Sequence, residues 1–327
     1  MNRAPGNTIG YSPGLKYSPS DVTVQILLMR HRIEYFPAWL LAKSIGLLPR
    51  PMARSLCVSI GLFAYAVYSR LRRVGMRNLE IAFPAMPVRE RKKVLRRVYA
   101  NIGRQLAEFC LLPRYDVQNI SAIASYDGFE NFAEADARGK GVIFLTAHFG
   151  GWEIGSFFHS LQGHPLNVVI RPLDNPYLNA MVESYRTRYG NRTFPKQDFA
   201  RGLLTAMKRG ETVGILMDTN MTPPQGEFVD FFGVRACTAT GMARVAIHTG
   251  AAVVPAFTIW DKDLRKYRIR FDPALKLIDT GDREADVLAN TAAFNRVIEG
   301  YIRRYPEQWL WVHRRWKTRP PGEKALY

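Results

Sequence analysis

A histidine and a glutamate stand five positions apart in Leu145-Thr-Ala-His-Phe-Gly-Gly-Trp-Glu-Ile-Gly155. A carboxylate hydrogen-bonded to one imidazole nitrogen fixes the tautomer and stabilises the imidazolium, leaving the other nitrogen to take a proton from an alcohol or amine. His148 and Glu153 are therefore the candidate catalytic residues, and the chemistry is general-base catalysis without a protein nucleophile. A lone histidine at a strand end is more often a structural residue, so its surroundings have to decide.

The flanking residues supply a geometry. Gly141-Val-Ile-Phe-Leu-Thr-Ala147 is a short apolar run of the kind that forms a buried strand, with His148 at its end. Gly150 and Gly151 permit a sharp turn, and a helix begins at Trp152. Strand, turn and helix would fold Glu153 back beside His148, at the strand end where open α/β sheets bind ligands.

Other strand ends carry polar residues. Arg171-Pro-Leu-Asp-Asn-Pro176 follows the strand at 167–170, and its guanidinium would suit a phosphate or a carboxylate-like oxygen. Asp218-Thr-Asn220 follows the strand at 212–217, ahead of Phe228-Val-Asp-Phe-Phe-Gly233 and Thr238-Ala-Thr-Gly-Met-Ala-Arg244. The Phe-Phe-Gly step reads as a pocket wall or as a core turn. In Pro306 to Arg319, three tryptophans alternate with basic residues, a pattern suited to a nucleic-acid groove or to an interfacial glycolipid site. No His-Glu-x-x-His or cysteine ligand spacing points to a metal. The Gly-x-Ser-x-Gly elbow, the P-loop and a dinucleotide fingerprint are missing too, so no bound cofactor is expected.

Around these motifs, strands at 141–147, 167–170, 212–217, 252–258 and 267–271 alternate with helices near 128–137, from 152, and at 177–189, 199–209, 241–249 and 286–305. That alternation predicts an α/β fold, a mostly parallel or mixed sheet with helices on both faces. An amphipathic helix from Arg89 to Leu112 precedes it, with Val94, Leu95, Val98, Ile102 and Leu106 inward and a basic outer face.

The N-terminal quarter differs. Residues 1–24 read as a flexible tail without a signal peptide. Tyr35 to Leu48 and Ser55 to Ser69 are apolar, but 15 residues make a helix of only about 22 Å, short of a hydrocarbon core of about 30 Å. Arg30, Arg32, Arg50, Arg54, Arg70, Arg72 and Arg73 flank them, which suits anionic headgroups at a cytoplasmic membrane face. The division is a tail at 1–24, a membrane-associated helical segment at 25–75 and a catalytic domain at 76–327. A tilted span, a shallow hairpin and a pair of core helices all remain open.

The 327 residues, 47% hydrophobic, are ample for a large core and exclude a disordered or fibrous protein. With 46 Lys plus Arg against 28 Asp plus Glu, the net charge of +18 calls for anionic partners: acidic lipid, phosphorylated ligand, acidic protein or nucleic acid. Cys57, Cys110 and Cys237 are too few and too scattered for a disulfide framework, which favours a reducing compartment.

The ordered set from His148 to Glu153, Arg171 to Pro176, Asp218 to Gly233, Thr238 to Arg244, Gly250-Ala-Ala-Val-Val-Pro255 and Glu307 to Gly322 resembles the bacterial lipid A biosynthesis acyltransferases. These lie within the wider glycerolipid acyltransferase superfamily. The resemblance implies a membrane-attached enzyme at the cytoplasmic face of the bacterial inner membrane. It moves an acyl group from acyl-acyl carrier protein or acyl-CoA to a hydroxyl of a phosphorylated lipid A precursor. His148 would be the base and Glu153 its orienting partner. Arg171 would bind phosphate or steady the oxyanion, with Asn175, Asp218, Arg244, Arg314 and Arg315 as further acceptor contacts. The Phe-Gly-Gly-Trp spacer also looks like relatives that acylate phosphatidylinositol mannosides. A basic nucleic-acid-binding protein is the reading from another class; it explains neither the apolar N-terminal segments nor the His/Glu turn.

Overall fold

The computed structural model describes residues 22–195 and 199–327. The expected tail at 1–24 falls almost wholly outside them. Four helices come first: α1 (Val22–Leu47), α2 (Arg50–Val67), α3 (Ser69–Ala82) and α4 (Val88–Leu111). The α/β body follows as β1 (Ala124–Asp127), α5 (Phe129–Ala137), β2 (Val142–Thr146), α6 (Trp152–Leu161), β3 (Leu166–Ile170), α7 (Pro176–Arg186), β4 (Arg192–Pro195), α8 (Phe199–Lys208) and β5 (Thr212–Leu216). It closes with β6 (Gly226–Phe231), β7 (Val234–Ala239), α9 (Gly241–Thr249), β8 (Ala252–Asp261), β9 (Lys266–Phe271) and α10 (Arg283–Arg304).

Seven strands form one sheet in the order β1-β9-β8-β2-β5-β3-β4. All neighbours are parallel except β8 and β9, which pair antiparallel across the turn at 262–265. The strands alternate their side chains between two cores. Ile143, Leu145, Val213 and Val253 pack with Leu95, Ala243 and Ile298 on one face. Phe144, Val254 and Phe271 pack with Phe132, Phe157 and Phe158 on the other. Apolar residues on both faces are what a parallel sheet covered by helices requires.

The pattern in the sequence missed the two edge strands β1 and β4, each four residues long, and the β6–β7 hairpin. Phe228 to Gly233 turns out to be strand and hairpin turn: Phe232 and Gly233 both have positive φ, 57° and 76°, the conformation of a tight two-residue turn. Phe231 and Phe232 are buried in the core, so the Phe-Phe-Gly step is a core turn.

The N-terminal helices are only partly buried. Ala53, Cys57 and Gly61 of α2 bury against α4, while Phe36, Leu40, Leu56 and Phe63 of α1 and α2 are exposed. Among the described residues no single helix is long and apolar enough to cross a membrane; the bent pair α2 and α3, at 88°, passes by length and composition alone.

Candidate active site

Register brings the chemistry together. Thr146 at the end of β2 pairs with Leu216 at the end of β5. Two residues further along each strand, His148 and Asp218 meet. Asp218 Oδ1 accepts from His148 Nδ1 at 2.9 Å, and Oδ2 accepts from the His148 backbone N–H at 2.9 Å and from Trp309 Nε1 at 2.7 Å. Asp218 is 3% exposed and His148 26% exposed. Nδ1 is thus committed as a donor, and Nε2 remains on the cavity side.

Burial opposes ionisation of both groups, but the pairing outweighs it. Desolvation alone would raise Asp218; the imidazole, the indole N–H and the His148 amide instead bring it down to about 2. Desolvation alone would lower His148; the Asp218 carboxylate, helped by Glu153, raises it above its ordinary value. Such an imidazole is a stronger proton acceptor than a free one.

The loop carrying His148 is clamped from two sides. Its carbonyl accepts from Leu310 N–H at 3.1 Å, Gly150 N–H donates to Gln308 O at 2.8 Å, and Gly151 N–H donates to Thr258 O at 3.0 Å. Gly150 has φ +56°, and a Cβ there would lie 1.7 Å from Thr258 O. Gly150→Ala is therefore expected to cost at least about 1 kcal/mol of stability from the backbone conformation alone, read as a lower melting temperature. Acyl transfer should fall with it, because the turn aims His148.

Glu153 borders the same end of the cavity as His148, but its carboxylate is held by another residue. It sits in the first turn of α6 and forms a two-pronged ion pair with Arg186 of α7, Nε to Oε2 at 2.9 Å and Nη2 to Oε1. The carboxylate that orients His148 is that of Asp218, because β5 is inserted between β2 and β3 and places Asp218 directly beside the imidazole. Sequence reasoning gave Arg186 no role; its signal was faint, a lone arginine at the end of a mixed helix. Trp309 was noted only as part of an aromatic and basic tract.

The remaining expected contacts divide. Arg171 stands on the mouth, 83% exposed and 3.7 Å from Asp174. Arg244 borders the same cavity while pairing with Glu284 at 2.7 Å. Asn175 is no acceptor contact: its carbonyl oxygen caps α7 by accepting from Tyr177 and Leu178 N–H, and its Nδ2 donates to His31 O. Arg315 is 0% exposed and bonds Cys237 O and Thr238 Oγ1, so it tethers the C-terminal segment to β7 and cannot reach a lipid headgroup. Arg314 lies against the Tyr327 ring, away from the cavity. Trp309, Trp311 and Trp316 are buried in the core, which removes the exposed aromatic groove expected there. Groups of His, Cys, Asp and Glu able to hold a metal ion do not occur among the described residues.

A cavity of about 810 Å³ opens beside His148 and runs over the α6 face of the sheet. Trp152, Glu153, Arg186 and Thr219 surround its reactive end, and Val168, Leu216, Met217 and Met242 make apolar wall. A histidine at the mouth of an apolar slot suits a substrate with one polar end and a long apolar body.

Comparison with known proteins agrees. A family model described as bacterial lipid A biosynthesis acyltransferase matches residues 26–318. The chain belongs to that family. It is 30% identical over 297 residues to a lipid A biosynthesis lauroyltransferase of Escherichia coli (strain K12), covering 88% of this chain and 95% of the relative. A lipid A biosynthesis palmitoleoyltransferase of the same strain is 29% identical over 281 residues, 86% of this chain and 90% of the other. A lipid A biosynthesis acyltransferase of Haemophilus influenzae (strain ATCC 51907 / DSM 11121 / KW20 / Rd) is 25% identical over 296 residues, 89% and 90%. In this acyltransferase the family match thus spans the N-terminal helices as well as the sheet.

Proposed function

We propose that this acyltransferase moves a fatty acyl group from an acyl thioester to a hydroxyl of a lipid A precursor, with His148 as the general base. The observation that carries the mechanism is the Asp218–His148 pair, aimed into an apolar cavity. In this reading the acceptor hydroxyl gives its proton to His148 Nε2 as its oxygen attacks the thioester carbonyl. The tetrahedral intermediate then expels the thiolate, which takes the proton back from the imidazolium and leaves as a thiol. Asp218 holds the tautomer. Arg186, fixed by Glu153, places a cation at the reactive end where negative charge develops on the carbonyl oxygen. The apolar wall holds the donor chain, carried by acyl carrier protein or coenzyme A. Arg171 and Arg244 at the rim meet phosphate on the acceptor.

The lipid A reading over a phosphatidylinositol mannoside rests on the family and on the relatives' names. Mass spectrometry of lipids from cells with and without the protein tests it. The lipid A fraction is expected to lose the mass of one acyl group when the protein is absent; an unchanged lipid A with an altered second glycolipid would reassign the acceptor.

Attachment to the cytoplasmic face of the inner membrane through α1 and α2 belongs to the same proposal. Phe36, 60% exposed, and Phe63, 68% exposed, lie on the apolar outer faces of these helices, with Arg30, Arg70 and Arg73 exposed nearby. The α1 helix also adjoins the α7 start at the cavity rim through the Asn175–His31 bond and the Tyr35–Tyr177 ring contact. Burying one such side chain is worth roughly 1.5–3 kcal/mol. Phe36→Asp with Phe63→Asp should therefore weaken flotation with anionic vesicles at least about tenfold while leaving the melting temperature unchanged; undiminished flotation would move the attachment elsewhere.

A further inference from the structure

The deep end of the cavity holds a polar group that the chemistry at His148 leaves unused. His159, on the inward side of α6, borders the cavity at its far end with Phe144, Leu166, Ile269 and Phe271. Its ring is 1% exposed and is held by close rings on several sides: Phe132 at 4.7 Å, His164 at 5.1 Å, Phe144 at 5.3 Å and Phe271 at 5.5 Å. Tyr126 Oη occupies Nδ1 at 2.8 Å. Nε2 is buried with no hydrogen-bond partner among the described residues.

Across the same cavity lies Gly214 of β5. It pairs in register with Phe144 of β2 on one side and Val168 of β3 on the other. A Cβ added there would meet no atom within 4 Å, so the glycine opens the cavity at this level. Phe144 and Gly214 stand four residues before His148 and Asp218 respectively, about 13 Å back along extended strands.

Building on the acyl-transfer reading, we propose that His159 and Gly214 together determine the longest donor chain the enzyme accepts. His159 is the stop and Gly214 the clearance beside it. The ring-packed imidazole cannot swing aside. The favoured chain therefore ends just short of His159. Burial takes the imidazole down to about 3, so it stays neutral and the stop does not vary with pH across the working range.

The test measures kcat/KM for a graded series of acyl thioesters from decanoyl to stearoyl. His159→Ala is expected to move the optimum to longer chains and Gly214→Leu to shorter ones. Each misfitting methylene should change the ratio about tenfold. An optimum left in place by both variants overturns the proposal. Displacement of a fluorescent fatty acid by the same graded chains supplies a readout independent of turnover. If binding optima shift as described while the wild-type chain transfers no acyl group, the ruler stands and the acyl-transfer reading falls. If transfer proceeds with unshifted optima, the reverse holds. Should His159→Ala fail to fold, Gly214→Leu carries the test by itself, since its side chain enters open space.

Discussion

Replacing His148 with alanine is expected to lower kcat/KM for acyl transfer by about 10²–10⁴-fold, the range a positioned general base supplies, with the fold retained. The side chain is partly exposed at the cavity mouth, so its removal leaves no sealed void. The wild-type pH profile follows from the pairing. A base works only when neutral, and Asp218 raises the pKa of His148. The rate should therefore climb with pH through a value above about 6.5, the ordinary imidazole pKa, and level off beyond it. The same raised pKa makes the charged pair a source of stability below about pH 6.5, lost as pH rises through the folded-state value. Full activity in the alanine variant, measured with a radiolabelled acyl donor, would remove His148 from the mechanism.

Asp218→Asn is expected to cost about 10⁴-fold, as does loss of the orienting aspartate in a serine-protease triad. The reason is local. The Oδ2 position accepts from the His148 amide and from Trp309, so an introduced amide keeps its oxygen there and turns its NH₂ toward Nδ1. Nδ1 would then have to accept, the proton would move to Nε2, and the nitrogen facing the cavity could no longer take one. With the carboxylate charge gone, burial dominates and the pKa of the imidazole falls, so any residual rate should show its rising limb at lower pH than the wild type. Asp218 also adds stability in its charged form, present above about pH 3.9 and lost as pH falls toward its folded value of about 2. An acid-side difference in unfolding between wild type and variant should appear in that window. Unchanged kinetics in Asp218→Asn would show that the imidazole is oriented by something other than this carboxylate.

Much of the fold was legible because local patterns carried it. The apolar run at 142–146 and those near 166–170, 212–216 and 252–258 are all strands, since a buried parallel strand must be apolar on both faces. The helix at Gly241–Thr249 is bounded by the expected residues. The short edge strands β1 and β4 escaped, since a four-residue segment with one covered side has too few apolar positions to stand out from a loop.

The site was legible in part, and the division has a physical cause. His148 and the glycine turn were readable because strand, turn and helix are contiguous in sequence. Glu153 was read as the partner of His148 for the same reason, but its carboxylate makes its ion pair with another residue. Contiguity places it at the start of α6, but not which neighbour its carboxylate meets, and Arg186 takes it. Asp218 was placed at the same sheet edge as an acceptor contact. Its role beside the imidazole depends on strand order, with β5 lying between β2 and β3. Trp309 and Arg315 likewise read as surface groups until the C-terminal segment folded back over Phe149 and β7.

The amino-acid sequence alone determined the α/β class, the histidine at a glycine-flanked strand end, the basic composition and the family's order of motifs, because each is written in residues close together along the chain. Only the tertiary structure decided which carboxylate meets the histidine, where the cavity runs and which arginines are buried. Those depend on strand order and on helices packing over a sheet, contacts between residues tens to hundreds of positions apart that local pattern does not encode.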